Sequence, residues 1–160
     1  MNIKLWRQML IDDIPSVYNI AMDIWTIYNE TLIIYENKFR TFPEGCYVYD
    51  DNGIKGYIIS HPWNILSPPK LNTLLTKVEE NCLFISDIVI LPEYRGKGIG
   101  DVIINKILDN NQIVSLVACD DEKIKSKDFW MRYGFEVAEI SDCNYGIYMV
   151  KNINKKSNQS

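Results

Sequence analysis

The chain has 160 residues, 47% of them hydrophobic and 24% charged, with a net charge of −4, which fits one globular domain with a sizeable core and argues against nucleic acid as a partner. No apolar run is long enough to cross a bilayer, and residues 1–7 lack the apolar stretch of a signal peptide, so the expectation is a soluble, cytoplasmic protein without a membrane partner. Cys46, Cys82, Cys119 and Cys143 are far apart with no histidine near any of them, which reads as free thiols and no metal site.

Residues 2–9 read as a first strand. Asp12 or Asp13 can cap a helix with Pro15 in its first turn, and Val17, Ile20, Ala21, Ile24 and Trp25 then recur at helical spacing. A second helix is expected over about residues 30–40, with Leu32, Ile33, Tyr35 and Phe39 on its apolar face, ended by Pro43-Glu44-Gly45. A hairpin follows: residues 46–49, the turn Asp50-Asp51-Asn52-Gly53, and residues 56–60. His61-Pro62-Trp63 is expected to stop the returning strand, and Leu71, Leu74, Leu75 and Val78 suggest a short helix in the long connection that follows. Residues 83–91 form a nearly continuous apolar run, the pattern of a strand buried on both faces. A helix with Ile99, Val102, Ile103, Ile104, Ile107 and Leu108 on a wide apolar arc comes next, then a second buried strand over residues 114–119. Strand, helix, strand implies a right-handed unit with two parallel strands. A helix from Ser126 or Lys127 to Tyr133, closed by Gly134, precedes two antiparallel strands over residues 136–140 and 145–150. The expected domain spans residues 1–151, with a polar, disordered tail over 152–160.

The stretch from Ile85 to Gly100, Ile-Ser-Asp-Ile-Val-Ile-Leu-Pro-Glu-Tyr-Arg-Gly-Lys-Gly-Ile-Gly, is the chemically informative one. Ser86 and Asp87 interrupt an apolar strand, and a buried polar pair costs free energy unless it is bonded. Arg95 to Gly100 is a basic, glycine-dense turn opening into a helix, whose free N–H groups and partial positive charge suit a phosphate. A dinucleotide fingerprint fails because the sixth position from Gly96 is Asp101, and a Walker loop fails because Lys97 is followed by Gly98. Arg95, Gly98 and Gly100 do match Arg/Gln-x-x-Gly-x-Gly/Ala, and with the lead-in Leu91-Pro92-Glu93-Tyr94 the stretch resembles the acetyl-coenzyme A motif of the GNAT N-acetyltransferases. Phe129-Trp130-Met131-Arg132-Tyr133-Gly134-Phe135 resembles that family's second signature, an aromatic pair followed by Gly-Phe. The order of elements also resembles the GNAT fold: an α/β (α+β) domain with a mixed, mostly antiparallel central sheet, one parallel strand pair and flanking helices. Within the superfamily, the long connection after the hairpin looks most like the arylalkylamine N-acetyltransferases.

The resemblance implies acetyl-CoA as cosubstrate. Backbone amides of Gly96, Lys97, Gly98, Ile99 and Gly100 would hold its pyrophosphate, with Arg95 at the turn, and backbone groups near Ile88, Val89 and Ile90 would pair with the pantetheine arm like an added strand. Lys97 reads equally well as a solvated surface charge. Relatives often place a base at the position of Ser86, and serine is a poor base. Asp87, its pKa raised by burial, is the obvious carboxylate, but adjacent strand residues face opposite ways, so it cannot simply replace that base; a water chain ordered by Ser86 is the favoured reading, and a purely structural Asp87 is the alternative. Where the family commonly has a tyrosine acid this chain has Trp130, whose indole donates a hydrogen bond but no proton. Tyr133 is expected to face elsewhere, and Tyr145 and Tyr148 are possible substitutes. Tyr28, Tyr35, His61 and Trp63 are candidate substrate-binding residues, with Phe39 beside them; the aromatics read more readily as core, and His61 as a surface or structural histidine.

The expected function is acetyl transfer to the primary amine of a small molecule, an aromatic alkylamine being favoured, by direct attack on the thioester. The protein would be a monomer or homodimer. The alternative is a GNAT-fold module that binds acyl-CoA as a sensor with little or no catalysis.

Overall fold

The computed structural model describes residues 5–25, 29–119, 125–140, 143 and 145–153. Strand β1 (Trp6–Gln8) and a 3₁₀ turn lead into helices α1 (Ile14–Ile24) and α2 (Leu32–Thr41). A hairpin of β2 (Cys46–Asp50) and β3 (Ile54–Trp63) follows, then β4 (Cys82–Ile90), α3 (Ile99–Asp109), β5 (Ile113–Ala118), α4 (Ser126–Met131), β6 (Glu136–Val137) and β7 (Ile147–Asn152). The seven strands form one mixed sheet in the order β1-β2-β3-β4-β5-β7-β6. Among the described residues, only β4 and β5 run parallel, through Leu83↔Val114, Phe84↔Ser115 and Ile85↔Leu116. This is the GNAT fold expected from the sequence, with the parallel pair where the strand–helix–strand pattern puts it.

Apolar alternation gives each face of the sheet its own core. Ile58, Leu83 and Ile85 pack with Ile103, Ile104 and Ile107 of α3 and with Trp130. Tyr57, Ile59 and Val89 pack with Val17 and Ala21 of α1 and Tyr35 of α2. Among the described residues, no helix is long and apolar enough to cross a membrane.

Three local expectations change. Residues 61–63 do not stop β3: the strand continues as His61↔Phe84, Pro62↔Leu83 and Trp63↔Cys82. The ladder to β2 ends at Cys46↔Ile59, so beyond it that edge of β3 has no strand partner among the described residues, and a strand proline is tolerated at an unpaired edge. Residues 71–78 form a turn and irregular backbone rather than a helix. There the N–H groups bond side chains of the neighbouring layer, Asn72 N–H to Glu30 Oε2 at 2.9 Å and Leu75 N–H to Asn37 Oδ1 at 2.8 Å, and Asn72 takes φ +55°. Finally, β7 extends to Asn152, and Ile153 N–H donates to the Gln112 carbonyl at 3.0 Å. Residues 154–160, the rest of the expected tail, lie outside the described residues.

Candidate active site

The parallel ladder ends at Ile85↔Leu116, and beyond it β4 and β5 part. A cleft of about 960 Å³ opens there, lined by residues 85–90 of β4, the start of α3, Leu116 and Val117 of β5, and Phe129 and Trp130 of α4. Past the split the β4 edge that faced β5 has no strand partner among the described residues, so its backbone groups can accept an extended ligand. The cradle is built next to it. Gly96 and Gly98 take φ +76° and +78°, a conformation that costs glycine little, and Gly98 is the N-cap of α3. Trp6 Nε1–H donates to the Ile99 carbonyl at 3.0 Å and ties the helix start to β1. Arg95 Nε–H donates to the Ile90 carbonyl at 2.8 Å, so its guanidinium folds back over the end of β4.

Of the nine residues assigned to cofactor binding, Ile88, Val89, Ile90, Arg95, Gly96, Gly98, Ile99 and Gly100 line the cleft. Lys97 does not: it is exposed, with its ammonium 5.3 Å from the Tyr94 ring centroid.

Ser86 and Asp87 sit at a β-bulge. Ile59 pairs with Asp87 and Ser60 with Ile85, which leaves Ser86 as the extra residue. Simple alternation would send the two side chains to opposite faces; the bulge lets both reach the α1–α2 side. Asp87 Oδ1 accepts from Trp25 Nε1–H at 3.0 Å, and Oδ2 accepts from Tyr57 Oη at 2.5 Å and Tyr35 Oη at 3.4 Å. Burial raises the Asp87 pKa to about 6, against the pull of the Tyr57 bond and the Lys38 charge. Burial also raises the Tyr57 and Tyr35 phenols, which keeps both as donors. Ser86 Oγ accepts from Lys38 Nζ at 2.6 Å, and the same ammonium reaches Glu30 Oε1 at 2.7 Å.

Tyr57, Trp25, Lys38 and Glu30 are members of this network that the sequence reading did not single out. Lys38 had a signal: it lies four residues after Ile34 and three after Tyr35, on the buried face of α2.

Trp130 is buried and lines the cleft, packed edge-on against Phe129 and Phe135. Tyr133 also lines it, contrary to expectation, because α4 ends at Met131 and Gly134 turns the chain with φ +92°; its hydroxyl donates to the Asp101 carboxylate of α3. Tyr145 lines the cleft and donates to the Pro69 carbonyl at 2.7 Å, whereas Tyr148 Oη accepts from Leu66 N–H at 2.8 Å outside it.

Of the substrate-binding candidates, Tyr35 lines the cleft. His61 and Trp63 do not, because β3 carries them on past the bulge. His61 is 0% exposed and packs against Trp63 and Phe84, and Trp63 Nε1–H donates to the Ser67 carbonyl at 2.8 Å. Burial lowers the His61 pKa to about 4. Tyr28 lies outside the described residues. Phe39 is half-buried against the α1–α2 core.

A family model described as the acetyltransferase (GNAT) family matches residues 11–135. Ard1 from Thermoplasma volcanium is similar in structure, with a TM-score of 0.71 at 21% identity over 92% of this chain and 96% of that one. An N-acetyltransferase from Staphylococcus aureus Mu50 gives a TM-score of 0.65 at 18% identity, over 91% and 97% of the two chains. The GphF GNAT-like decarboxylase in complex with isobutyryl-CoA gives 0.76 at 14% identity, over 92% and 98%. No curated protein matches. The match over residues 11–135, together with the split sheet and the glycine cradle, shows that the chain belongs to the GNAT acetyltransferase family.

Proposed function

We propose that the protein is an acetyl-CoA-dependent N-acetyltransferase acting on a small primary amine, with Asp87 as the proton acceptor. Acetyl-CoA supplies the activated acetyl carbon. The β4 edge from Ser86 to Ile90, which has no strand partner among the described residues beyond Ile85, and the amides from Gly96 to Gly100 fit its extended arm and its pyrophosphate, which is the chemistry of an unpaired strand edge beside a helix N-terminus.

The chain's own residues then have two tasks. An amine arrives as an ammonium and must lose a proton before it can act as a nucleophile. The observation that carries the proposal is the placement of the Asp87 carboxyl at the bulge, where the cleft passes the open edge of β4; burial there raises its pKa to about 6. A group poised there is ionised at neutral pH yet basic enough to take a proton, directly or through a water. The second task is to receive the amine. Trp25, Tyr35, Leu71 and Tyr145 line the same cleft as Glu30 and Asp87. Aromatic walls with carboxylates suit a cationic amine carrying an aromatic or apolar body. The preference for an aromatic alkylamine rests on these walls alone. Trp130 takes the role of a packing and hydrogen-bonding group beside the leaving thiolate.

The test is release of free CoA from acetyl-CoA across a panel of aromatic alkylamines, polyamines, amino sugars and short peptides. Asp87→Asn is expected to lower kcat/KM about 10²- to 10⁴-fold for the preferred amine while CoA still binds. Undiminished turnover in that variant would remove Asp87 from the mechanism.

One observation favours a second reading, an acyl-CoA-binding module with little catalysis. Both Asp87 oxygens already accept bonds from Trp25, Tyr57 and Tyr35. Binding of acetyl-CoA without CoA release for any amine in the panel would support that reading.

A further inference from the structure

Lys38 is 6% exposed, an unusual position for a lysine. Its ammonium bridges Glu30 Oε1 at 2.7 Å and Ser86 Oγ at 2.6 Å, and Glu30 Oε2 accepts from Asn72 N–H at 2.9 Å. Both ions are therefore hydrogen-bonded, which a buried pair requires. Such a pair adds little net stability over apolar side chains of similar volume. Its consequence lies in the field it creates at its third partner, Ser86, and at the neighbouring Asp87.

We propose that Lys38 and Glu30 form a charge-setting unit for Asp87: Lys38 fixes Ser86 at the bulge and holds Asp87 in its ionised form, and Glu30 limits that effect. Lys38 and Glu30 are positioning residues here. The proposal rests on the reading of Asp87 as the proton acceptor.

The groups facing Asp87 come from every element packed around it. Tyr57 on β3, Tyr35 on α2 and Trp25 at the end of α1 donate to it. Lys38 on α2 favours its charged form, and Glu30, ahead of α2, disfavours it. His61 on β3 also feels the Lys38 charge and is kept neutral chiefly by burial. Without Lys38, burial and the Glu30 charge would act on Asp87 unopposed except by its three donors. More of the carboxyl would then be protonated at neutral pH and unable to accept a proton from the amine.

The test reads Asp87 directly and needs no acceptor amine. The CoA-bound protein is titrated by carboxyl-carbon NMR, with the Asp87 signal assigned by its loss in Asp87→Asn. Lys38→Met is expected to raise the midpoint by on the order of one pH unit, and Glu30→Gln to lower it. Lys38→Arg keeps the charge and keeps the midpoint near the wild-type value. A purely structural role predicts the opposite for Lys38→Met, because a loosened site admits water and lowers the midpoint. An unchanged or lowered midpoint in Lys38→Met overturns the proposal. If that variant does not fold, the charge-balanced Lys38→Met/Glu30→Gln carries the test. Its midpoint should lie above that of Glu30→Gln, and equal midpoints overturn the proposal. Failure of the base assignment is separately visible, since Asp87→Asn would then keep full acetyl transfer while these midpoints still move.

Discussion

His61 is enclosed by Trp63 and Phe84, and its Nε2 has no hydrogen-bond partner among the described residues. Its folded pKa of about 4 lies below the ordinary value of 6.5. As pH falls between those two values the unfolded chain takes up a proton that the folded chain refuses, so stability is intact above 6.5 and is lost toward 4. The full loss is about 3 kcal/mol. Asp87 has the opposite sign, because its raised pKa makes the folded form the better proton binder between 3.8 and about 6. Comparing wild type with His61→Leu isolates the histidine. Between pH 7.5 and pH 5 the wild-type Tm should fall further than the Tm of the variant, as read by thermal denaturation. Parallel curves would show that His61 is not the group that titrates.

At the scale of elements, the site is the product of one strand that changes partners and one helix that starts with a left-handed glycine. β4 is antiparallel to β3 along its whole length but parallel to β5 only as far as Ile85, and the cleft begins where that pairing stops. Gly98→Val places a β-branched residue at φ +78°, at a cost of about 1–3 kcal/mol. It also tilts the first amides of α3 away from a bound pyrophosphate. CoA affinity should fall at least tenfold in this variant by calorimetry, with the fold retained; unchanged affinity would detach the cradle from cofactor binding. This element was legible in the sequence because glycine spacing and an apolar lead-in are local patterns. The bulge was not. It depends on register against β3, and nothing in Ile85-Ser86-Asp87-Ile88 announces that Ser86 is the unpaired residue. The continuation of β3 through Pro62 was hidden for a related reason, since an edge left free by β2 is a property of the sheet and not of the segment.

Across the whole molecule, the two faces of the sheet divide the work. The α3–α4 face carries the apolar core behind the cradle, and the α1–α2 face carries the polar network of Asp87, Tyr57, Tyr35, Lys38 and Glu30. The order of elements and the parallel pair could be read from hydrophobic period alone. The polar network could not, because its members come from α2, the segment before it, β3 and β4 and meet only after folding. The account as a whole requires that the cleft binds coenzyme A in the folded state. The most direct test is a thermal shift with acetyl-CoA, CoA and ATP side by side. A ligand at a hundred times its Kd adds about 2.7 kcal/mol, roughly 5–10 °C for a chain of this size. A shift of that order with both coenzyme A species and little with ATP is the predicted result. No shift with either coenzyme A species would contradict the assignment of the cleft and the function built on it.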